Sequence, residues 1–280
     1  MQTIVPQETF LLDLLVTLSP STSKTSLRAW IKEGRVTVDG AVAKRADMPL
    51  IQGQIVAVGA KAQYIAEKIR VIYEDPHLIA IEKPSGMLSV ATAFEKGETA
   101  HALLKRHYHP RKVYVVHRLD QDTSGVMLFA LSEAGYHGLK ILFEKHEIER
   151  SYCAIVEGKL IPTSGTWQSY LYEDSLYFVH STDDPEKGAI ATTHYTVRHT
   201  SPRYTRLDVS LETGRKNQIR VHASSKGHSV VGDKKYGAAT DPIHRLCLHA
   251  QLIAFKHPVS GKHMRFTSAP PGIFDRLVKP

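Results

Sequence analysis

Cysteine, tryptophan and long apolar runs are what this sequence has least of. Its 280 residues include two cysteines and two tryptophans. Cys153 and Cys247 both lie in apolar stretches, without metal-ligand spacing and without a secreted-type disulfide framework, so a reducing compartment is expected. No apolar stretch approaches the length of a membrane-crossing helix. The N-terminus lacks an apolar core followed by a small-residue cleavage site. A soluble, cytoplasmic chain is the expectation. G-x-G-x-x-G, a Walker loop and H-E-x-x-H are all missing, which argues against a nucleotide cofactor or a zinc-protease site. Sixteen histidines invite a metal. Their spacing does not support one: His107 and His109 are two apart, His117 stands alone, and most others are scattered. Neither a metal nor any other cofactor is expected. Internal repeats and low-complexity tracts are also missing.

What is present is charge, unevenly placed. The formal net charge is +8 and the pI about 9.3. From Arg198 to the end there are 15 Lys/Arg against 5 Asp/Glu, while residues 1–197 hold 21 against 23. The basic excess therefore sits in the last third, without like-charge runs long enough to form a disordered tail. A folded basic surface of this kind suits a polyanionic partner.

The pattern of apolar residues gives an α+β chain with a largely antiparallel, mixed sheet. Residues 10–18 read as a short helix or a buried strand. Ser23 or Thr25 can cap a helix whose apolar side is Leu27, Trp30 and Ile31, and Gly34 stops it. Val36 and Val38 alternate, Asp39-Gly40 turns, and "IVAVG" at 55–59 is a further strand. These pieces form a unit over 1–60, small for independent stability. Residues 61–68 read as a linker and 69–280 as the main domain. There, strands near 70–73 and 78–82 flank a turn at Asp75-Pro76. Helices are expected in "TAHALLKRH", "EAGYHGLKILFEKHE" and "NQIRVHASS". Strands are expected at 113–116, 126–131, "RSYCAIVEG", "THYTVRHT", "YTRLDVSLETG" and "LCLHAQLIAF".

Three stretches can carry chemistry. In "HRLDQDTSG" (117–125), Asp120 and Asp122 stand in a turn between two apolar runs. They could cap the turn, pair with Arg118, or act as a carboxylate pair. Thr123, Ser124 and Gly125 fit a tight turn with hydroxyls bonding local backbone. In "LETGRKNQIRVHASSKGH" (211–228), Asn217 can cap a helix whose start, flanked by Arg215 and Lys216, suits a phosphate. Arg220 lies between Ile219 and Val221; if drawn inward it needs an acid, and Asp120 is a candidate. In "ERSYCAIVEG", Tyr152 reads as a core residue unless a site surrounds it.

Together these stretches resemble a family. "HRLDQDTSG" is similar to the H-R-L-D-x-x-T-S-G signature of the RluA-type pseudouridine synthases at every fixed position. "EKPSGMLS" (82–89), "RSYCAIVEG" (150–158), "ETGRKNQIRVH" (212–222), "VGDKKYG" (231–237) and "LCLHAQLIAFKHP" (246–258) follow the family in the same order. Residues 10–58, above all "KTSLRAWIKEGRVTVDG" (24–40), resemble the small alpha-L RNA-binding domain of ribosomal small-subunit protein four. In such a domain Lys24, Arg28, Lys32 and Arg35 would cluster on one face.

The resemblance implies a cofactor-independent isomerase that converts uridine in structured RNA to pseudouridine. It implies Asp120 as the catalytic carboxylate, Arg220 as its ion-pair partner, and Tyr152 as the residue that stacks on the extruded base. Arg118 would fill the gap the base leaves and His117 would support the same loop. Leu248 would line the base pocket. Arg215, Lys216, Lys234 and Lys235 would contact phosphates, which positions RNA without reading its sequence. Large-subunit ribosomal RNA is the expected substrate, with transfer RNA as the second option, and the chain is expected to be a monomer. Two rivals are an RNA-binding protein that kept the fold and lost catalysis, and a hydrolase using Asp120 and Asp122 with a histidine.

Overall fold

In a computed structural model of the chain, which describes residues 1–39, 41–59, 63–92 and 97–279, Ser23 is the N-cap of the first predicted helix. Its hydroxyl accepts from the Ser26 amide at 3.1 Å. The chain divides into two units, Met1–Gln63 and Tyr64–Pro280. In the first, strands β1 (Gln2–Ile4) and β2 (Thr9–Phe10) precede helices α1 (Leu11–Leu18) and α2 (Lys24–Lys32). Strands β3 (Val36–Val38), β4 (Ala41–Val42), β5 (Pro49–Leu50) and β6 (Ile55–Val58) follow. The ambiguous run at 10–18 is thus a helix from Leu11 onward, with Phe10 in β2, because Leu11, Leu14 and Leu15 share one buried face. They pack with Leu27 and Ile31 of α2 and with Val36, Val38 and Val56 of the sheet β1-β6-β3-β4. Gly34 ends α2 with a φ of +69°, a value that glycine adopts without a Cβ penalty. Gly40 of the predicted turn lies outside the described residues.

Strand β7 (Gln63–Ile65) spans the division, and the larger unit goes on with β8 (Ile69–Glu74) and β9 (Leu78–Lys83), then α3 (Ala100–Tyr108), β10 (Tyr114–Val115), β11 (Ser124–Ala130) and α4 (Glu133–Glu144). It continues with β12 (Glu149–Glu157), β13 (Ser164–Glu173), β14 (Val179–Thr182), β15 (Ala189–Thr200), β16 (Tyr204–Leu211) and α5 (Gln218–Ser225), and closes with β17 (Leu248–Lys256), β18 (His263–Thr267) and α6 (Gly272–Val278). Residues 63–65, expected to be linker, are strand instead; 61 and 62 lie outside the described residues.

One twelve-stranded sheet organises this unit, in the order β14-β13-β15-β16-β12-β17-β11-β9-β8-β7, with β10 on β11 and β18 on β17. The β11·β17 pair is parallel, and the other pairings with a described register are antiparallel. Every residue of β11 is buried, which explains why it reads as a continuous apolar run rather than an alternating one. At this parallel seam Gly125, with φ +117°, faces Ala250; a Cβ there would stand 2.2 Å from the Ala250 carbonyl oxygen. The two sides of the seam carry separate cores. One is built on Leu207, Val209, Cys153 and Cys247, the other on Ile79, Ile81, Met127 and Phe129, and Tyr152 packs against both.

Candidate active site

The signature residues 117–123 form the loop entering β11, and the reason "EKPSGMLS" accompanies them is now physical. Lys83 is fully buried, and its ammonium donates to the carbonyls of Pro84 at 3.0 Å, Met87 at 2.6 Å and Gln121 at 2.8 Å. The Gly86 amide donates to the same Gln121 carbonyl at 3.0 Å, and the Ser85 hydroxyl to the Asp122 carbonyl at 2.7 Å. Ser89 accepts from the Leu119 amide at 3.1 Å and donates to the Leu119 carbonyl at 2.6 Å. Residues 83–89 are thus a cradle for the loop. Burial pushes the Lys83 ammonium down to about 7, against the attraction of Asp122 and Asp120.

Held this way, the Asp120 carboxylate faces a cleft of about 770 Å³. Its side chain is 27% exposed, so solvent reaches it, and the Arg220 Nη1 donates to its Oδ2 at 3.1 Å. Arg220 comes from α5, on the far side of the seam. Its Nε and Nη2 each donate to Asp233 at 2.7 Å in a bidentate fork. Burial opposes the Arg220 charge, but Asp233 and then Asp120 outweigh it and hold the guanidinium above its ordinary pKa. Asp233 therefore fixes the fork, and the remaining Nη1 is what Asp120 sees. Asn217 was expected to cap α5. It instead takes a left-handed φ of +54° without a capping bond, and turns its side chain inward. With its nitrogen towards Asp120, the amide donates to Oδ1 at 3.0 Å and Oδ2 at 2.8 Å and accepts from the Tyr236 hydroxyl at 2.9 Å.

Tyr152 lines the same cleft and is half-buried. A bulge shifts the β12·β17 register between Ser151 and Tyr152 and leaves Gln251 unmatched. Such irregularities re-aim side chains beside sites. Burial pushes the Tyr152 phenol up; Arg150 pulls it down and Asp120 raises it further. Leu248 is buried against a smaller pocket shared with Asp120, Tyr152 and Arg220.

Around the cleft the remaining predicted residues play different parts. Arg118 is exposed at its rim. His117 lines it, but its Nε2 accepts from the Leu128 amide at 2.9 Å and its ring stacks on Phe143 at 4.8 Å. Burial, then Arg150, push His117 down to about 3, so it is a neutral acceptor that anchors the loop to β11. Arg215 lies on the Ile190 carbonyl at 3.2 Å, and Lys216 is paired with Glu173. Lys235 donates to the Tyr177 carbonyl at 3.2 Å, and Lys234 sits beside Asp241 at 3.3 Å, lining a neighbouring cavity. In the first unit Lys24, Arg28 and Lys32 are exposed at four-residue spacing along α2, whereas Arg35 lies over the Trp30 ring at 4.5 Å. The Ser124 hydroxyl does not bond local backbone. It joins His249 Nδ1 at 2.8 Å and accepts from Arg245 at 2.8 Å. Sequence reasoning missed Asp233, Lys83, Ser89 and Arg150. Each lay inside a motif segment, but each needed a remote partner to give it a role. Among the described residues, His, Cys, Asp and Glu side chains form no cluster that could hold a metal, and no helix is long and apolar enough to cross a membrane.

A mixed sheet split by one parallel seam brings an Asp–Arg pair and a tyrosine together in one basic cleft. The RNA pseudouridylate synthase family matches residues 77–225. The chain is 32% identical over 283 residues to ribosomal large subunit pseudouridine synthase D of Pseudomonas aeruginosa, covering 92% of this chain and 87% of that protein. To the protein of the same name in Xanthomonas campestris it is 34% identical, covering 95% and 86%. Human RNA pseudouridylate synthase domain containing 1 shares the fold, with a TM-score of 0.63 and 21% identity over 75% of this chain and 86% of that one. The chain belongs to the RNA pseudouridylate synthase family, and it is an isomerase of RNA uridine.

Proposed function

We propose that Asp120 is the catalytic carboxylate of a synthase acting on large-subunit ribosomal RNA. The observation that carries this is convergence: Asp120, Tyr152 and Arg220, remote in sequence, line one open cleft. The isomerisation breaks the N1–C1′ bond, forms a C5–C1′ bond, moves the C5 proton off the ring and returns a proton to N1. A carboxylate can serve it as nucleophile or as base. Arg220 and the Asn217 amide hold the carboxylate in place by charge and by hydrogen bonds. Tyr152 offers an aromatic face to the extruded base, and Leu248 an apolar wall. Arg118, beside Asp120 and exposed, fills the space the base vacates. Extrusion costs about a few kcal/mol, which these contacts offset.

The ribosomal substrate is supported by the relatives, which are ribosomal large subunit pseudouridine synthases, and by the basic cleft. The first unit, with its row of Lys24, Arg28 and Lys32, acts as an alpha-L-like RNA-binding domain appended to a catalytic domain over 69–280. The test is tritium release from RNA labelled at uridine C5, with protein-free large-subunit ribosomal RNA and transfer RNA as separate substrates. Asp120→Asn abolishes release while RNA binding persists; Asp122→Asn leaves it largely intact. Release only from transfer RNA would overturn the ribosomal assignment, and release by Asp120→Asn would overturn the catalytic one.

A further inference from the structure

Arg150 is a cation without a counter-charge. It is the second residue of β12, two before Tyr152, and lines the same cleft. Among the described residues it forms no ion pair, and its buried Nε has no hydrogen-bond partner. The nearest aromatic face is Phe143, 5.9 Å from the guanidinium carbon. The other cleft cations are engaged or solvated: Arg220 on Asp120 and Asp233, Lys216 on Glu173, Lys235 and Arg215 on carbonyls, and Arg118 in water. A partly buried guanidinium with an orphaned donor is costly unless something pairs with it. The loop across the cleft makes room for it. A Cβ on Gly214 would stand 2.4 Å from Arg150 Nη1, so a side chain at 214 would displace the guanidinium.

We propose that Arg150 is the seat of a backbone phosphodiester next to the target uridine. This rests on the functional reading above. On a strand, residues i and i+2 share a face and lie about 6.6 Å apart. A base stacked on Tyr152 therefore presents its own sugar-phosphate linkage to Arg150. A guanidinium matches a phosphodiester by its planar fork of donors. The uracil edge is a poorer match, because its carbonyls carry no net charge to balance the cation. The anion also completes the cation's surroundings: Arg150 already lowers the pKa of His117 and Tyr152, and a bound phosphate would remove that influence when substrate is in place.

The experiment uses the full chain and a synthetic hairpin around the uridine that mapping identifies. Methylphosphonate linkages, which lack the charge, are placed singly on its 5′ and 3′ sides. Arg150→Met is expected to raise KM about tenfold with a smaller change in kcat, and Arg150→Lys to recover part of the loss. The salt dependence of binding should weaken by about one phosphate contact. At one linkage, methylphosphonate costs the unmodified chain about tenfold and costs Arg150→Met nothing further. Gly214→Ala, which keeps the charge but moves its tip, should raise KM in the same direction. If both linkage effects multiply with the Arg150→Met effect instead of merging, the assignment is overturned. If Arg150→Met does not fold, the unmodified chain with Gly214→Ala decides: equal turnover of all hairpins by both overturns it. No turnover of any hairpin by the unmodified chain would sink the functional reading, and this one with it.

Discussion

Asp233→Asn should cost more stability than Asp120→Asn, while Asp120→Asn costs more activity. Asp233 is fully buried and takes two 2.7 Å bonds from Arg220. Removing its charge leaves a guanidinium that is 10% exposed with a single, longer contact to Asp120. At a charge separation of about 4 Å and an effective dielectric of about 20, the lost attraction is about 4 kcal/mol. Broken buried pairs cost about 3–5 kcal/mol, which agrees. For a unit of this size that lowers the midpoint of thermal unfolding by about 10 °C. Asp120→Asn keeps one acceptor oxygen but sets an amide against the Arg220 and Asn217 donors at a partly exposed position, and should cost about 1 kcal/mol. Freed from Asp233, the fork can turn fully onto Asp120 and misplace it, so kcat falls by at least about tenfold. Urea unfolding followed by near-UV dichroism, with tritium release on the same preparations, measures both. An Asp120→Asn variant less stable than Asp233→Asn, or an Asp233→Asn variant with unchanged kcat, would refute this account of the fork.

Gly125→Ala meets the Ala250 carbonyl at 2.2 Å and a positive φ together, and should destabilise the larger unit by about 3 kcal/mol or more in urea unfolding. Acid should unfold that unit early. Burial lowers His222 and His249 from 6.5 to about 4. Between those values the unfolded chain binds protons that the folded chain refuses, so stability drops as pH falls through that window, by about 3 kcal/mol per histidine. A pH series of urea midpoints from pH 7 to pH 4 checks it. Reversing Lys24, Arg28 and Lys32 to Glu should weaken binding to ribosomal RNA and reduce its salt dependence by about two contacts. Stability and the tritium-release rate at saturating RNA should stay unchanged.

Some of this was legible in the residues. The capping serine and the i, i+4 pair Leu27/Ile31 specify α2 locally, and the strand of the signature is marked by its unbroken apolar run. Asp120, Tyr152 and Arg220 are brought together as expected. The missed elements β13, β14 and β18 have half-exposed, mixed sequences that only a neighbouring strand turns into sheet. Asp233 sits in "VGDKKYG", where two lysines make it look like surface; tertiary packing buries it. Asn217 looked like a helix cap because its position in the sequence is right for one, and the demand of Asp120 for donors won. Ser124 looked like a turn residue, yet its partners are His249 and Arg245, more than a hundred residues away.

The parallel pairing of β11 with β17 has a consequence for how the enzyme can fail. The acid is carried on one flank of that junction; the arginine, the tyrosine and the buried aspartate are carried on the other. On the roles proposed above, neither flank owns a working centre by itself. A molecule that parts along this line keeps nearly all its strands and helices and still loses its chemistry. Inactivation should therefore precede the loss of far-ultraviolet signal whenever the protein is pushed gently towards unfolding.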